Sequence, residues 1–310
     1  MNEELIYING DYFRRSEARI SVFDSGLMTG DTLTESTRTF GHRPFRLRDH
    51  LVRLSRSMKV ARYPEPPTLD ELERITAGVI ERNLPLYGHE DDFWIVHNLT
   101  RGNFTLANDP SRSRGGPTVI VFTMRLDLTY WARFYDQGCH AVTPFSRAVP
   151  PEALDPKIKS RSRLAYTLAD LEVKLVDPDA QCILLDTAGN IAENKGGNFF
   201  IVTGGRVLTP PTRNVLAGIS RQTVLELCRE LGIESEERDL QPYDVYTADE
   251  SFFTSTPYCI MPASRFNGVP VGDGGVGEVT RRLLAEWSSR VGVDIAGQAR
   301  AQLAAARVGD

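Results

Sequence analysis

The stretch that decides the fold is LLDTAGNIAENKGGNFFIV, residues 184–202. It has an apolar start, turn-forming residues at 188–190, the acidic Glu193, a glycine-rich bend at 196–197 and a strongly apolar end. This pattern is typical of a hairpin-like pair of strands. A carboxylate beside such a bend can approach a ligand closely, because glycine has no Cβ. Most glutamates in hairpins are solvated, so Glu193 taken alone is weak evidence for a site.

Upstream, the segment DPKIKSRSR, residues 155–163, places Lys157 and Lys159 before a predicted helix. A lysine becomes a nucleophile when desolvation or neighbouring cations depress its pKa, and the arginines that follow would act in this way. The alternative is a solvated basic surface.

Downstream, Ala217 and Gly218 come directly before an amphipathic helix whose first turn holds Ser220. Backbone N–H groups at a helix start, together with the helix dipole, form an anion site. The alternative is an ordinary helix entrance, because glycine is common at that position.

The rest of the pattern predicts an opening hairpin and further helices and strands. The hairpin has its turn at Asn9-Gly10 and its arms at 5–8 and 18–23. A helix starts near Leu47 with Asp49 as its N-cap. Further helices are predicted at 69–83, 162–176, 219–231 and 277–291, and strands at 93–100, 118–124, 141–146, 206–209 and 251–255.

The chain has 310 residues, which exceeds the size that one hydrophobic core usually organises. We predict an N-terminal α+β domain over 1–124, a connection over 125–137 and a C-terminal domain over 138–292. The tail, 293–310, is predicted to form a peripheral helix or to fray. Strands and helices do not alternate regularly, so a doubly wound sheet is not expected.

Composition excludes several classes of protein. The net charge of −5 disfavours nucleic acid as a partner. The four cysteines form no Cys-x-x-Cys pair, which disfavours a disulfide framework and structural zinc, and no metal is predicted. The start, MNEELIYING, is acidic and no long apolar run follows, so we expect a cytoplasmic protein without a membrane partner.

Six blocks of sequence are far more specific together than singly: 22–40, 45–54, 155–160, 184–202, 208–221 and 246–262. With them, the chain resembles the class IV aminotransferases, the fold-type IV pyridoxal phosphate enzymes. The resemblance runs from about Ile6 to Val291. It implies a mixed α/β, or α+β, two-domain fold with a small N-terminal α+β domain and a larger β-barrel-like α/β domain that binds pyridoxal 5′-phosphate.

The resemblance also implies roles for individual residues. Lys159, rather than Lys157, matches the lysine that binds the cofactor covalently. Glu193 matches the carboxylate that pairs with the pyridine nitrogen, which keeps the ring an electron sink. The phosphate is expected to be bound by the guanidinium of Arg53, the backbone amides of Ile219 and Ser220 and the hydroxyl of Thr256.

Departures from the family pattern concern the substrate pocket. Where the branched-chain enzymes have Phe-Glu-Gly-Ile-Arg, this chain has TESTR, so Thr34 makes the pocket wall smaller and more polar. Arg101 aligns with an arginine near the carboxylate pocket, and Ser255 is also expected to contact the substrate. Pro257 stands where the family offers a backbone N–H to the substrate carboxylate, and proline has none.

Two further departures concern the cofactor ring and the subfamily. Leu164 replaces a tyrosine that faces the ring oxygen, a contact that is lost or supplied by another residue such as Arg161 or Arg163. Leu106 and Asn108 align with the arginine and histidine clamp of the D-amino-acid enzymes and cannot replace it.

Together these features predict a transaminase that moves an amino group from an apolar amino acid, or an amine, to a 2-oxo acid such as pyruvate or 2-oxoglutarate. The expected enzyme is a homodimer or higher oligomer whose contacts include the aromatic residues of segment 130–135. The alternatives are an R-selective amine or D-amino-acid transaminase, a lyase similar to aminodeoxychorismate lyase, and a non-catalytic binding protein.

Overall fold

The computed structural model describes residues 3–104 and 116–308. The chain forms two units, one made of Met1–Leu126 with Ile158–Ser162 and the other of Asp127–Lys157 with Arg163–Asp310. No helix in the described part of the chain is long and apolar enough to cross a membrane.

The first unit is built on an antiparallel six-stranded sheet with the order β2-β1-β6-β5-β3-β4. In chain order its strands are β1 (Leu5–Ile8), β2 (Asp11–Arg14), β3 (Thr32–Phe40), β4 (Arg43–Pro44), β5 (Phe93–Thr100) and β6 (Thr118–Arg125). Its helices are α1 (Ser25–Thr29), α2 (Leu47–Val60) and α3 (Leu69–Asn83), followed by a 3₁₀ turn at Leu84–Leu86. Helices α2 and α3 bury Leu51, Leu54, Leu72 and Val79 in one core with Phe93 and Ile95 of β5.

The opening hairpin is confirmed at its turn but not in its second arm. Asn9 and Gly10 both have positive φ, and β1 pairs with β2 directly across them. The second arm is therefore 11–14 and not 18–23, because a two-residue turn brings the very next residues back along the first strand.

The predicted bounds of α3 are confirmed, and so is the start of α2 at Leu47, but the predicted N-cap of α2 is wrong. Thr68 caps α3 in a reciprocal box with Glu71. In α2 the N-cap position belongs to Arg46, and Asp49 lies inside the first turn with its carboxylate on Arg46 Nε. Asp49 is thus not the N-cap, because the helix already begins at Leu47, two residues before it. Asp49 instead places negative charge near the positive end of the helix dipole.

Strand β3 was not predicted, yet it lies inside the sheet between β5 and β4. Its sequence, TLTESTRTF, is mostly polar, and its buried residues include Glu35, Thr37 and Arg38. Buried polar side chains require partners, and these partners come from distant segments.

The second unit contains an eight-stranded mixed sheet with the order β11-β10-β9-β12-β13-β7-β8, and β14 pairs with β13. The strands are β7 (Cys139–Val142), β8 (Gln181–Cys182), β9 (Asn198–Thr203), β10 (Arg206–Thr209), β11 (Ser235–Glu237), β12 (Glu250–Ser255), β13 (Cys259–Phe266) and β14 (Val269–Pro270). The helices are α4 (Thr129–Ala132), α5 (Phe134–Gln137), α6 (Leu164–Lys174), α7 (Ile219–Glu230), α8 (Pro242–Tyr246), α9 (Glu278–Val291) and α10 (Ile295–Val308). The predicted mixed α/β fold is confirmed.

Aromatic pairs hold the centre of this second sheet. Phe199 and Phe200 of β9 face Phe253 and Phe252 of β12, with ring centroids 4.9 and 5.0 Å apart. All four rings are buried. Just before β9, Asp186 accepts from the N–H groups of Ala188 and Asn190, so a short side-chain bonded turn forms at the predicted position.

The segment predicted as a connection, 125–137, ends β6 and then forms the short helices α4 and α5. Phe134 and Tyr135 are buried, and Tyr135 Oη donates to the backbone oxygen of Tyr258 at 2.8 Å. The tail forms helix α10, and Gln302 on it accepts from the N–H of Leu128 at 2.7 Å.

Candidate active site

Lys159 lies on a short segment that is bound to the start of β3 in the first unit. The backbone oxygen of Lys159 accepts from the N–H of Thr34 at 2.9 Å, and the N–H of Arg161 donates to the oxygen of Thr32 at 2.8 Å. Lys159 N–H also lies 3.4 Å from Ser57 Oγ on α2. Lys157, by contrast, is exposed and forms a 3.0 Å ion pair with Asp155.

A buried cluster of charged and titratable side chains occupies the same unit. Glu35 of β3 accepts two bonds from Arg53, Nε to Oε2 at 2.9 Å and Nη2 to Oε1 at 2.6 Å. His50 Nδ1 donates to Glu35 Oε1 at 2.8 Å. His50 and Arg53 both belong to α2, and a spacing of three residues places them on one face of the helix.

Burial and charge act in opposite directions on this cluster. Burial would raise the pKa of Glu35, but the charges of Arg53 and His50 outweigh it and hold that pKa well below its usual range. Burial lowers the pKa of His50 against the opposing charge of Glu35, and the charges of Arg53 and Lys159 lower it further. Glu35 is therefore an anion, and its bidentate bond fixes the plane of the Arg53 guanidinium.

In the second unit, Glu193 is held at both carboxylate oxygens. Tyr166 Oη donates to Oε1 at 3.1 Å, and the N–H of Leu216 donates to Oε2 at 2.9 Å. The Glu193 residue is only 6% exposed. Its backbone oxygen accepts from Leu184 N–H at 3.0 Å. The solvated alternative for Glu193 is thereby excluded.

Tyr166 was not predicted as a site residue. It lies on α6, two residues after Leu164, and no local pattern distinguishes it from an ordinary half-buried aromatic. Leu164 itself is 73% exposed. Of the two arginines suggested in place of the missing tyrosine, Arg161 donates from Nε to Asn98 at 3.1 Å and Arg163 stacks 3.9 Å over the Tyr166 ring.

The predicted phosphate-binding residues of the second unit lie beside two glycines, Gly197 and Gly218, whose backbone lies close to neighbouring atoms. A Cβ on Gly218 would come within 2.1 Å of Asn198 Oδ1, and one on Gly197 within 2.4 Å of the Thr254 oxygen. Ser255 Oγ donates to the oxygen of Gly196 at 2.5 Å, and Thr256 follows. Glycine is required at both points because any side chain would collide.

Helix α7 starts directly after this close approach. Its first residues, Ile219 and Ser220, are buried, and its first turn contains no acidic residue. No side chain within the described ranges caps the helix at Gly218. A helix start without a carboxylate or a cap suits an anion. Leu216, which donates to Glu193, lies in the same loop, so the carboxylate and the helix start are connected by three residues of chain.

The residues predicted to bind substrate are divided between the two units. In the first, Thr34 Oγ1 lies 3.0 Å from the oxygen of His97 and 2.9 Å from Asn98 Oδ1. In the second, Pro257 is buried after Ser255. Leu106 and Asn108 lie outside the described residues.

Arg101 is engaged within the first unit. Its guanidinium contacts the Asp31 carboxylate and the Ala61 oxygen, and Nη1 donates to the oxygen of Arg62 at 2.8 Å. It also lies 4.7 Å over the Tyr63 ring. The prediction that Arg101 binds a substrate carboxylate therefore gains no support from this geometry.

Comparisons with known proteins agree with the fold and the motifs. The family model for class IV amino-transferases matches residues 32–266. The branched-chain-amino-acid aminotransferase of Escherichia coli K12 is 31% identical over 287 residues, which is 90% of each chain. A protein of Methanocaldococcus jannaschii is 34% identical over 91% of this chain and 94% of its own length.

Solved structures give the same result. The E. coli branched-chain aminotransferase structure superposes with a TM-score of 0.85 at 28% identity, covering 93% of this chain and 94% of the other. The T.th. branched-chain amino acid aminotransferase with pyridoxamine 5′-phosphate reaches 0.84 at 26% identity, with coverages of 94% and 95%. The chain therefore belongs to the class IV aminotransferases, a family of pyridoxal-phosphate-dependent enzymes.

Proposed function

We propose that this aminotransferase moves the amino group of an apolar, branched-chain-like amino acid to a 2-oxo acid such as pyruvate or 2-oxoglutarate, in a ping-pong reaction. The observation that carries the proposal is the connection between Glu193 and the start of α7 through the N–H of Leu216. A buried carboxylate for a ring nitrogen and an uncapped helix start for a phosphate match the two polar ends of pyridoxal phosphate.

Lys159 is proposed as the covalent anchor of the cofactor and as the group that moves the proton. The bound cofactor supplies an electron sink for the charge left when the substrate loses its α-proton. Once the amino donor has displaced Lys159 from the cofactor, its free Nζ would take that proton from Cα and return it at C4′ of the cofactor, so one amine would serve as base and as acid. Its support is the backbone pairing of Lys159 with β3, which holds the start of the side chain in a defined position.

The phosphate is proposed to bind Arg53, the amides of Ile219 and Ser220 and the hydroxyl of Thr256. Arg53 suits this role because Glu35 fixes its guanidinium plane before any ligand arrives. A preoriented planar fork loses little freedom when it binds phosphate oxygens.

For the substrate, we propose contacts from Thr34, Arg101, Ser255 and Pro257. Thr34 is small and polar where branched-chain enzymes have an aromatic side chain, which supports a tolerant pocket. Pro257 offers no N–H, which supports weaker carboxylate recognition.

The alternatives are not favoured by the comparisons. Relatives and solved structures of high coverage carry the name branched-chain aminotransferase, which supports a transaminase over a lyase. Glu193 is buried with a hydrogen bond to each carboxylate oxygen, and burying a charge costs stability, which supports a functional role for this carboxylate. Cytoplasmic location stays a prediction.

We also propose a homodimer or a higher oligomer. Of the aromatic residues predicted for the interface, Phe134 and Tyr135 are buried within the second unit, whereas Tyr130 is 44% exposed. Further support comes from α6 and its C-cap, where four leucines are between 51% and 90% exposed: Leu164, Leu168, Leu171 and Leu175. Their spacing forms one apolar stripe, and such stripes mark contact surfaces.

Sedimentation tests the oligomer. Replacing Leu168 and Leu171 together by lysine should shift the protein toward monomer. Ser289→Lys, at an exposed position of helix α9 in the same unit and away from this stripe, is the control. A wild-type protein that sediments as a fully active monomer would contradict the proposal.

A donor panel tests the reaction. The protein is incubated with L-leucine, L-valine or a primary amine, each with pyruvate or 2-oxoglutarate, and with D-alanine and 2-oxoglutarate only, and the alanine or glutamate formed is measured. We expect the L-apolar donors to give product that depends on the acceptor. A lyase would release pyruvate from its substrate without an acceptor, and no product from any pair would refute the transaminase.

A further inference from the structure

Tyr166 makes a contact that neither the family pattern nor the proposed roles assign. Its hydroxyl reaches Glu193 Oε1 at 3.1 Å, while the other carboxylate oxygen accepts from the N–H of Leu216 at 2.9 Å. The two donors come from separate parts of the chain, helix α6 and the loop before α7. We propose that Tyr166 is a positioning residue that orients the Glu193 carboxylate toward the cofactor's ring nitrogen.

Two donors on two oxygens define the plane of a carboxylate, whereas one donor leaves it free to rotate about the bond to its side chain. Glu193 has little exposure to water, so solvent would not replace a lost donor well. The N–H of Leu216 is fixed by the backbone. Tyr166 is therefore a side chain through which substitution can change this orientation.

The environment of Tyr166 keeps its hydroxyl a donor. Burial raises the pKa of Tyr166, and the negative charge of Glu193 raises it further, against a smaller opposing effect of Arg163. The phenol thus stays protonated at any pH at which the protein works. The Arg163 guanidinium, 3.9 Å over the ring, limits rotation of the ring and so maintains the direction of the O–H.

The position of Tyr166 also bears on the missing tyrosine. Leu164, which stands at the position of the missing tyrosine, is 73% exposed and has no hydroxyl. The hydroxyl of Tyr166, two residues later on α6, donates to the Glu193 carboxylate. A phenol in this chain thus acts on the cofactor's nitrogen partner. This inference rests on the proposed role of Glu193 and adds the residue that controls it.

The test compares Tyr166→Phe with Tyr135→Phe. Tyr135 is the matched control because its hydroxyl donates a buried hydrogen bond to the Tyr258 oxygen in the same unit. Removing a hydrogen bond to a charged group should lower kcat by about 10-fold, with KM for the amino donor within about 2-fold of wild type. The visible spectrum of bound cofactor should change in the same direction as in Glu193→Gln, but less, and Tyr135→Phe should resemble wild type in both respects.

A double-mutant cycle shows whether Tyr166 acts through Glu193. In a Glu193→Gln background, Tyr166→Phe should have little further effect on the rate or on the spectrum, because the group that it orients has lost its charge. Circular dichroism confirms that each variant is folded. Fully additive effects, or a Tyr166→Phe variant that matches Tyr135→Phe, would overturn the inference while leaving the proposed function intact. A wild-type protein that forms no borohydride-reducible adduct with pyridoxal phosphate would overturn both.

Discussion

The backbone oxygen of Lys159 accepts a hydrogen bond from the N–H of Thr34 at 2.9 Å. Thr34 and Lys159 are far apart in sequence, yet this bond and the bridge between Leu33 and Ser160 make the lysine segment a short partner of β3. The adjacent residue on β3 is Glu35, which orients Arg53. One buried polar strand therefore positions both the proposed covalent anchor and the proposed phosphate arginine.

Replacing Lys159 by alanine should abolish covalent cofactor binding. The visible absorbance of the protein and its borohydride-trapped adduct should vanish, because the amine that forms the covalent link is removed. Lys157→Ala is the matched control, since Lys157 is exposed and pairs with Asp155. Mass spectrometry of the reduced protein locates the modified residue, and an adduct on Lys157 would contradict the assignment.

Glu193→Gln should leave the fold nearly intact and slow proton transfer. A neutral amide cannot hold the proton on the pyridine nitrogen, and loss of such a pair in a buried site costs several kcal/mol of transition-state stabilisation. We expect single-turnover rates to fall by about 10² or more. An unchanged rate in stopped-flow absorbance would rule out this role.

Glu35→Gln should affect both stability and cofactor affinity. Removing one charge from a buried, hydrogen-bonded pair costs about 3 kcal/mol or more of unfolding free energy. Loss of the bidentate bond also releases the Arg53 guanidinium, so pyridoxal phosphate should bind more weakly. Urea unfolding and equilibrium dialysis measure the two effects. The control is Glu73→Gln, whose exposed pair with Arg48 should contribute under about 1 kcal/mol.

Glu35→Gln should also change how the stability of the fold depends on pH. The folded-state pKa of Glu35 lies below its usual value, so its contribution to stability is complete above the usual pKa of glutamate. That contribution is lost as pH falls through the depressed value. Wild-type stability should therefore fall at acid pH more steeply than that of Glu35→Gln, and parallel curves would contradict the pair's role.

His97 adds a second acid sensitivity in the first unit. It is buried opposite Glu35 on β5, and burial lowers its pKa to about 4. The unfolded chain takes up the proton near the ordinary histidine pKa, so stability falls as pH drops from about 6.5 toward 4, by about 3 kcal/mol in all. Urea unfolding across this range should show a shallower slope for His97→Gln, whereas the exposed His89→Gln should match wild type.

The parts of this protein that the sequence predicted correctly have local causes. Helix α3 follows from its apolar spacing and from the cap of Thr68 with Glu71, which lie within four residues of each other. Strand β5 follows from a run of β-branched and aromatic residues. The Asn9-Gly10 turn needs only the two residues with positive φ.

The parts that were missed depend on distant partners. Strand β3 is polar, and its side chains are buried only because α2 supplies Arg53 and His50 to Glu35, and because Asp92 accepts from Thr39 at 2.7 Å. Tyr166 is recognised as a site residue only through its hydrogen bond to Glu193, which lies in another segment of the second unit. Neither set of contacts produces a periodic pattern in the sequence, so neither could be predicted before the fold was known.

The substrate prediction concerns Pro257, which offers no N–H where a backbone donor is expected for the substrate carboxylate. An unmet hydrogen bond to a charged group costs roughly 1.5 to 3 kcal/mol, or about 10 to 200-fold in affinity. Pro257→Ala restores the donor and should lower KM for pyruvate or 2-oxoglutarate by about 10-fold, while KM for a primary amine without a carboxylate should not change. Pro270→Ala, at an exposed position of the same unit, controls for loss of a proline. Steady-state kinetics with a 2-oxo acid and with a primary amine measure the two KM values. Wild-type protein that accepts only L-branched-chain amino acids and turns over no amine, with Pro257→Ala unchanged, would show that carboxylate recognition in this enzyme does not depend on that N–H.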